Sequence, residues 1–112
     1  MFDATLAATV TGDDVDLALS VENTSDESRT LSFRNGQRAE FVAERPESGE
    51  TVWRYGDTRV FTMALARVEF APGETETYTA TWDDAPSGEY RVRAWTVAED
   101  ASADAQTTVS VA

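Results

Sequence analysis

Apolar and polar residues alternate with period two along most of this chain, and no helical period develops. Phe2, Ala4, Leu6, Ala8 and Val10 share one face. Val15, Leu17, Leu19 and Val21 then alternate with Asp16, Ala18, Ser20 and Glu22. The turn Thr11-Gly12-Asp13-Asp14 between the two runs predicts an antiparallel hairpin with a polar tip. Asn23 to Ser28 is a polar loop with Asx-turn chemistry. Thr30 to Phe33 reads as a short strand with Leu31 and Phe33 inward. Asn35-Gly36 predicts a tight turn, because both residues tolerate positive φ.

The next predicted strand, Arg38 to Glu44, carries Phe41. Pro46-Glu47-Ser48-Gly49 is a turn, and Thr51 to Tyr55 a strand. Gly56 to Leu65 is the least regular stretch, suited to an edge segment or one helical turn. Arg67 to Phe70 is a short strand before the turn dipeptide Pro72-Gly73. Thr75 to Trp82 sets Tyr78, Ala80 and Trp82 on one face and four threonines on the other. Asp83 to Gly88 is a Pro/Gly loop. Tyr90 to Val97 puts Tyr90, Val92 and Ala94 opposite Arg91, Arg93 and Trp95. Glu99 to Asp104 is a loop, and Gln106 to Val111 a final strand. Many short strands with turns at regular spacing predict an all-β, immunoglobulin-like antiparallel β-sandwich. Gly88-Glu89-Tyr90 fits a tyrosine corner, in which the phenol returns to upstream backbone.

The 112 residues fit one domain, 1–112, long enough for a core without staples. Its eleven aromatics (three Trp, three Tyr, five Phe) supply bulk for that core. Without cysteine there are no disulfides and no thiolate metal sites. No run approaches the ~20 apolar residues of a membrane helix. Met1-Phe2-Asp3 lacks the basic and apolar regions of a signal peptide.

Charge changes the picture further. Twenty-one acidic residues stand against nine basic ones, for a net charge of −12, and all nine are arginine. Such a chain repels itself when unscreened. The Debye length shrinks from about 8 Å at 0.15 M salt to about 3 Å at 1 M. A folded domain with this balance is adapted to a salt-accumulating cytoplasm, as in halophilic archaea. Nucleic acid is excluded as a partner, because phosphate binding needs clustered basic residues.

The chain contains no His, Cys or Lys. That removes the commonest general base, the thiol nucleophile and the Schiff-base amine. The protein reads as a non-enzyme that needs no cofactor. Asp13-Asp14-x-Asp16 and Asp83-Asp84 could offer oxygens to Ca²⁺, but their spacing is not that of an EF-hand loop. They read as acidic turns. Trp53 and Trp82 read as core. Trp95 is open between a stack under a guanidinium, a binding patch and a shifted register.

One scattered pattern carries a family resemblance. It comprises Leu31-x-Phe33-x-Asn35-Gly36-Gln37-x3-Phe41, Gly49-x2-Val52-Trp53-Arg54-Tyr55, Phe61-Thr62-x2-Leu65, Pro72-Gly73-Glu74 with Tyr78 and Trp82, and Gly88-Glu89-Tyr90. Spanning roughly positions 20 to 97, it resembles the BsuPI family of intracellular proteinase inhibitors. The family usually shows Trp-Arg-Trp-Ser where this chain has Trp53-Arg54-Tyr55-Gly56. The resemblance implies an immunoglobulin-like fold and inhibition of an intracellular, subtilisin-like serine protease. The candidate protease-contact residues are Trp53, Arg54, Tyr55, Phe61, Met63 and Leu65. Phe61, Met63 and Leu65 offer apolar side chains, and Trp53 to Tyr55 brace them. The loop Arg45 to Glu50 is a polar alternative. A different class of function, a non-inhibitory interaction module of the same fold, would show an apolar strip or an open strand edge.

Overall fold

The computed structural model describes every residue except Met1, Arg59, Asp100 and Ser102. Parts of two predicted stretches, Arg59 in Gly56–Leu65 and Asp100 and Ser102 in Glu99–Asp104, therefore lie outside the described residues. The others form nine strands: β1 (Phe2–Thr11), β2 (Asp14–Asn23), β3 (Arg29–Phe33), β4 (Ala39–Glu44), β5 (Thr51–Arg54), β6 (Ala66–Phe70), β7 (Thr75–Trp82), β8 (Gly88–Thr96) and β9 (Asp104–Val111). One 3₁₀ turn, Tyr55–Asp57, follows β5. Every pairing is antiparallel, in sheets ordered β1-β2-β7, β3-β6 and β5-β4-β8-β9. This is the all-β, immunoglobulin-like sandwich that the alternation predicts.

The β1–β2 hairpin is in register from Phe2↔Asn23 to Thr11↔Asp14. That leaves Gly12-Asp13 as a two-residue turn, with Gly12 at φ +63°. A turn of this kind matches the strand twist only with positive φ, which glycine adopts freely. The predicted inward residues of β2, Val15, Leu17, Leu19 and Val21, are all buried. They meet Phe41 and Ala43 of β4, Ala80 and Trp82 of β7, and Tyr90, Val92 and Ala94 of β8 in one cluster. Each large apolar side chain so buried stabilises the fold by roughly 1.5–3 kcal/mol. The tyrosine corner is present: the Tyr90 hydroxyl donates to Pro86 O at 2.8 Å. β1 also lies along β9.

One turn differs from expectation. Asn35-Gly36 does not form a tight turn with positive φ at Gly36, and β3 pairs with β6, not with β4. Asn35 Oδ1 accepts the Gln37 N–H at 2.8 Å, an Asx turn that carries the chain from one sheet to another. Gly36 is needed for closeness instead. A Cβ there would sit 2.8 Å from Thr62 Oγ1.

Candidate functional site

β4 and β5 form a hairpin through the turn closed by Arg45 and Glu50, and β5 is the edge of the four-stranded sheet. Successive side chains on a strand point to opposite faces, so Trp53 and Arg54 part company. Trp53 turns toward the core and stacks on Trp82, with ring centroids 5.6 Å apart and planes at 18°. Trp82 meets Tyr90 edge-on at 4.8 Å. Tyr55, opening the 3₁₀ turn, is edge-on to Phe41 at 5.6 Å and to Phe61 at 6.0 Å. A continuous run of rings thus leads from the tyrosine corner to Phe61.

Arg54 points the other way and pairs with Glu40 at 3.5 Å. Glu40 is buried in β4. Its Oε1 accepts the N–H groups of Gly56 (2.8 Å) and Phe41 (3.0 Å). A Cβ on Gly56 would collide with Glu40 Oε2, so glycine is what lets the turn close over this carboxylate. Glu40 is not among the residues that the sequence singles out. The only local signal was an acid inside a short apolar strand.

Beyond the 3₁₀ turn, Val60 to Leu65 has no regular structure. Phe61 is half-buried against Tyr55. The Gly36 N–H donates to Thr62 O at 2.7 Å and pins the backbone. Around these anchors the apolar side chains face water: Met63 is 84% exposed and Leu65 79%. Val60, which sequence reasoning did not single out, is fully exposed. The six candidate residues therefore divide. Met63 and Leu65 are exposed, Trp53, Tyr55 and Phe61 are half-buried in the run of rings, and Arg54 secures the turn from the opposite face through Glu40.

The outer face of the same sheet is ionic. Glu44 of β4 is buried and accepts from Arg91 Nε at 3.1 Å and Arg93 Nη2 at 3.0 Å. The Arg93 hydrogen bond, aided by Arg91 and opposed by burial, holds the Glu44 carboxyl below its ordinary value near 4.5. The guanidinium of Arg93 also lies 5.7 Å from the Trp95 ring centroid. Of the three readings left open for Trp95, the cation stack is the one formed.

The aspartate clusters are used as hydrogen-bond acceptors. Asp14 Oδ1 accepts the Asp84 N–H (3.1 Å) and Asp16 Oδ1 the Thr81 hydroxyl (3.1 Å), holding the β1–β2 hairpin against the end of β7. Among the described residues no group of three or more His, Cys, Asp or Glu side chains is arranged to hold a metal ion. Among the described residues no helix is long and apolar enough to cross a membrane.

Several solved structures share the fold. A β-glucosidase from Kluyveromyces marxianus in complex with glucose is 20% identical with a TM-score of 0.52, over 99% of this chain and 14% of that one. β-Glucosidase 3B from Thermotoga neapolitana in complex with α-D-glucose is 17% identical with a TM-score of 0.54, over 99% of this chain and 16% of that one. This chain thus spans about a sixth or less of those enzymes, and at such identity the likeness concerns the fold alone. No curated protein matches the sequence. The sequence profile described as intracellular proteinase inhibitor matches residues 2–101, nearly the whole chain. With that match across the strands, the ring run and the presented segment, the chain belongs to the BsuPI family of intracellular proteinase inhibitors.

Proposed function

We propose that this protein inhibits an intracellular, subtilisin-like serine protease by presenting Val60 to Leu65 to the enzyme's cleft. The observation that carries the reading is the combination of exposure and restraint in this segment. Met63 and Leu65 face water, while Phe61 is held by Tyr55 and Thr62 by Gly36. An apolar side chain offered on a pinned backbone loses little freedom on binding, so more of its contact energy appears as affinity. An edge-strand aromatic, Trp53, stacked on a core tryptophan, keeps the base of the segment rigid. The protease pocket that receives Met63 or Leu65 is apolar.

The test is Met63→Asp. Truncating or charging a central interface residue costs about 2–4 kcal/mol, so inhibition of the protease should weaken about 30-fold or more. Met63 touches little of the fold, so urea stability should stay within about 0.5 kcal/mol of the parent. Unchanged inhibition would remove the segment from the interface and direct attention to the Arg45–Glu50 turn. A folded parent protein that does not inhibit would instead favour the non-inhibitory interaction module.

The working compartment proposed is a cytoplasm rich in salt. The net charge of −12 is spread over a small surface, and screening relieves its self-repulsion. Raising KCl from about 0.05 M to about 3 M should therefore raise the urea midpoint. A midpoint that does not move would sink this assignment.

A further inference from the structure

A strand at the end of a sheet leaves a row of N–H and C=O groups unpaired, and natural edges are blunted by brevity, charge, proline or bulges. On one side of this sandwich β1 and β9 lie along one another. The other side is bounded by β5 and β7, each the last strand of its sheet, where Trp53 stacks on Trp82. β5 is blunted: it has four residues, ends in Arg54, and its pairing with β4 shifts register at Ala43/Glu44. The five-residue strands β3 and β6 carry Arg29, and Arg67 with Glu69.

β7 has none of these devices. It runs eight residues without proline or glycine and pairs with β2 in unbroken register from Glu22↔Thr75 to Val15↔Trp82. Its one charged side chain is Glu76, in a chain where 27% of residues are charged. Its threonines and aromatics are good strand formers. Among the described residues β2 is the one strand that pairs with it. Hollows of about 260 and 470 Å³ lie beside it, the first touching Thr77 to Thr79 and the second Thr81. Thr75, Thr77 and Thr79 are exposed. This edge therefore borders open space.

The edge is also complementary to itself. A twofold antiparallel pair must set outward residues against outward ones, because a one-residue slip turns every side chain to the other face. Centred on Tyr78, such a pair places Thr77 against Thr79 of the second copy, Thr75 against its Thr81, and Glu76 against its Ala80. No acid then directly opposes an acid, and opposed threonines support strand pairing. Elsewhere, 21 acids against nine arginines make two copies repel. We infer that two copies of this chain pair antiparallel through their β7 edges, joining two three-stranded sheets into one of six, in the order β1-β2-β7-β7-β2-β1. The interface is isologous, the same patch from each copy. The inference rests on β7 and on no residue of Val60 to Leu65, so it stands or falls apart from the protease reading.

The experiment is sedimentation equilibrium of the whole protein in about 3 M KCl, where repulsion between copies is screened. The mass should rise with concentration from 12.2 kDa toward twice that value. Thr79→Glu sets a carboxylate on the shared edge and should weaken association at least tenfold, with the urea midpoint unchanged. Thr5→Glu adds the same charge to exposed β1, away from that edge, and should leave association as in the parent. The chain has no cysteine, so Thr79→Cys and Thr5→Cys each take a single nitroxide label. Labels at Thr79 are diagonal neighbours across the twofold, their Cβ atoms about 7–8 Å apart, and should broaden each other's electron paramagnetic resonance spectrum strongly. Labels at Thr5 lie five strand spacings apart, about 24 Å, and should not. A mass that stays at that of one chain up to about 1 mM would overturn the inference. So would a dimer that Thr79→Glu leaves intact. If that variant is destabilised, the labels decide: a dimer without broadening at Thr79 pairs through another surface, which overturns the inference too.

Discussion

Replacing Asn23 by alanine should lower the stability of the fold by about 3 kcal/mol, the sum of three or so net hydrogen bonds and the groups they leave bare. Asn23 ends β2 and is completely buried. Its Nδ2 donates to Glu27 O (2.8 Å) and Phe70 O (3.0 Å). Its Oδ1 accepts from the Ser25 N–H (3.0 Å) and the Ser25 hydroxyl (2.7 Å). Its backbone pairs with Gly73 and Glu74 across the Pro72-Gly73 turn. One side chain thus joins the loop after β2 to the turn before β7. Asn23→Asp keeps the shape but removes both N–H donors and sets a carboxylate against two carbonyls. It should cost at least as much at neutral pH. Urea unfolding with an unchanged m-value checks both. A loss below about 1 kcal/mol in each variant would show that water replaces the side chain without penalty.

Asn23 also marks a boundary of what the sequence can tell. The polar loop after β2 and its Asx turn follow from short-range chemistry, because Asn and Ser two residues apart hydrogen-bond locally whatever the rest of the chain does. The reach of Nδ2 to Phe70, 47 residues on, has no local signal. The same division runs through the fold. Alternation located the strands and their inward faces, since burial on one side of a sheet forces period two. It could not assign β3 to β6, because a polar bend after a strand is compatible with either a hairpin or a crossing. Gly36 shows the point: glycine next to asparagine suggests positive φ, but here it serves a close approach to Thr62.

For the candidate site, residue type and family pattern picked out one neighbourhood without its internal division. Phe61, Met63 and Leu65 look alike as apolar positions in an irregular stretch. Only the position of Tyr55 decides that Phe61 turns in while Met63 and Leu65 stay out. The buried acids Glu40 and Glu44 were the least legible. Every residue of β4 is buried, so period two vanishes just where a central strand is covered on both faces. Arg91 and Arg93 at alternate positions of β8 hold the compensating charge for Glu44. That pairing emerges only once β8 is known to lie beside β4.

The other large effect is expected at Trp82. Trp82→Ala should destabilise the protein by about 4 kcal/mol, within the range for removing a large aromatic from a core. Trp82 is almost wholly buried and holds Trp53 on its face and Tyr90 at its edge. Aromatic pairs of this geometry add roughly 0.5–1.5 kcal/mol beyond the area they bury. By comparison, Tyr90→Phe, which removes the bond to Pro86 O and the longer one to Ser87 O, should cost about 1 kcal/mol. The Trp82 loss should also reach the presented segment. With nothing beneath it, Trp53 can settle into the space, and Tyr55 and Phe61 lose the surface that orients them. Inhibition should then weaken even under conditions where most of the variant is folded. Met63→Asp and Trp82→Ala are thus expected to separate cleanly: the first removes affinity and leaves stability, the second removes both. Urea unfolding beside an inhibition assay reads the difference. A Trp82→Ala protein that loses about 4 kcal/mol yet inhibits like the parent would mean that the ring run supports the core alone, and that Val60 to Leu65 is oriented by the Gly36–Thr62 bond without it.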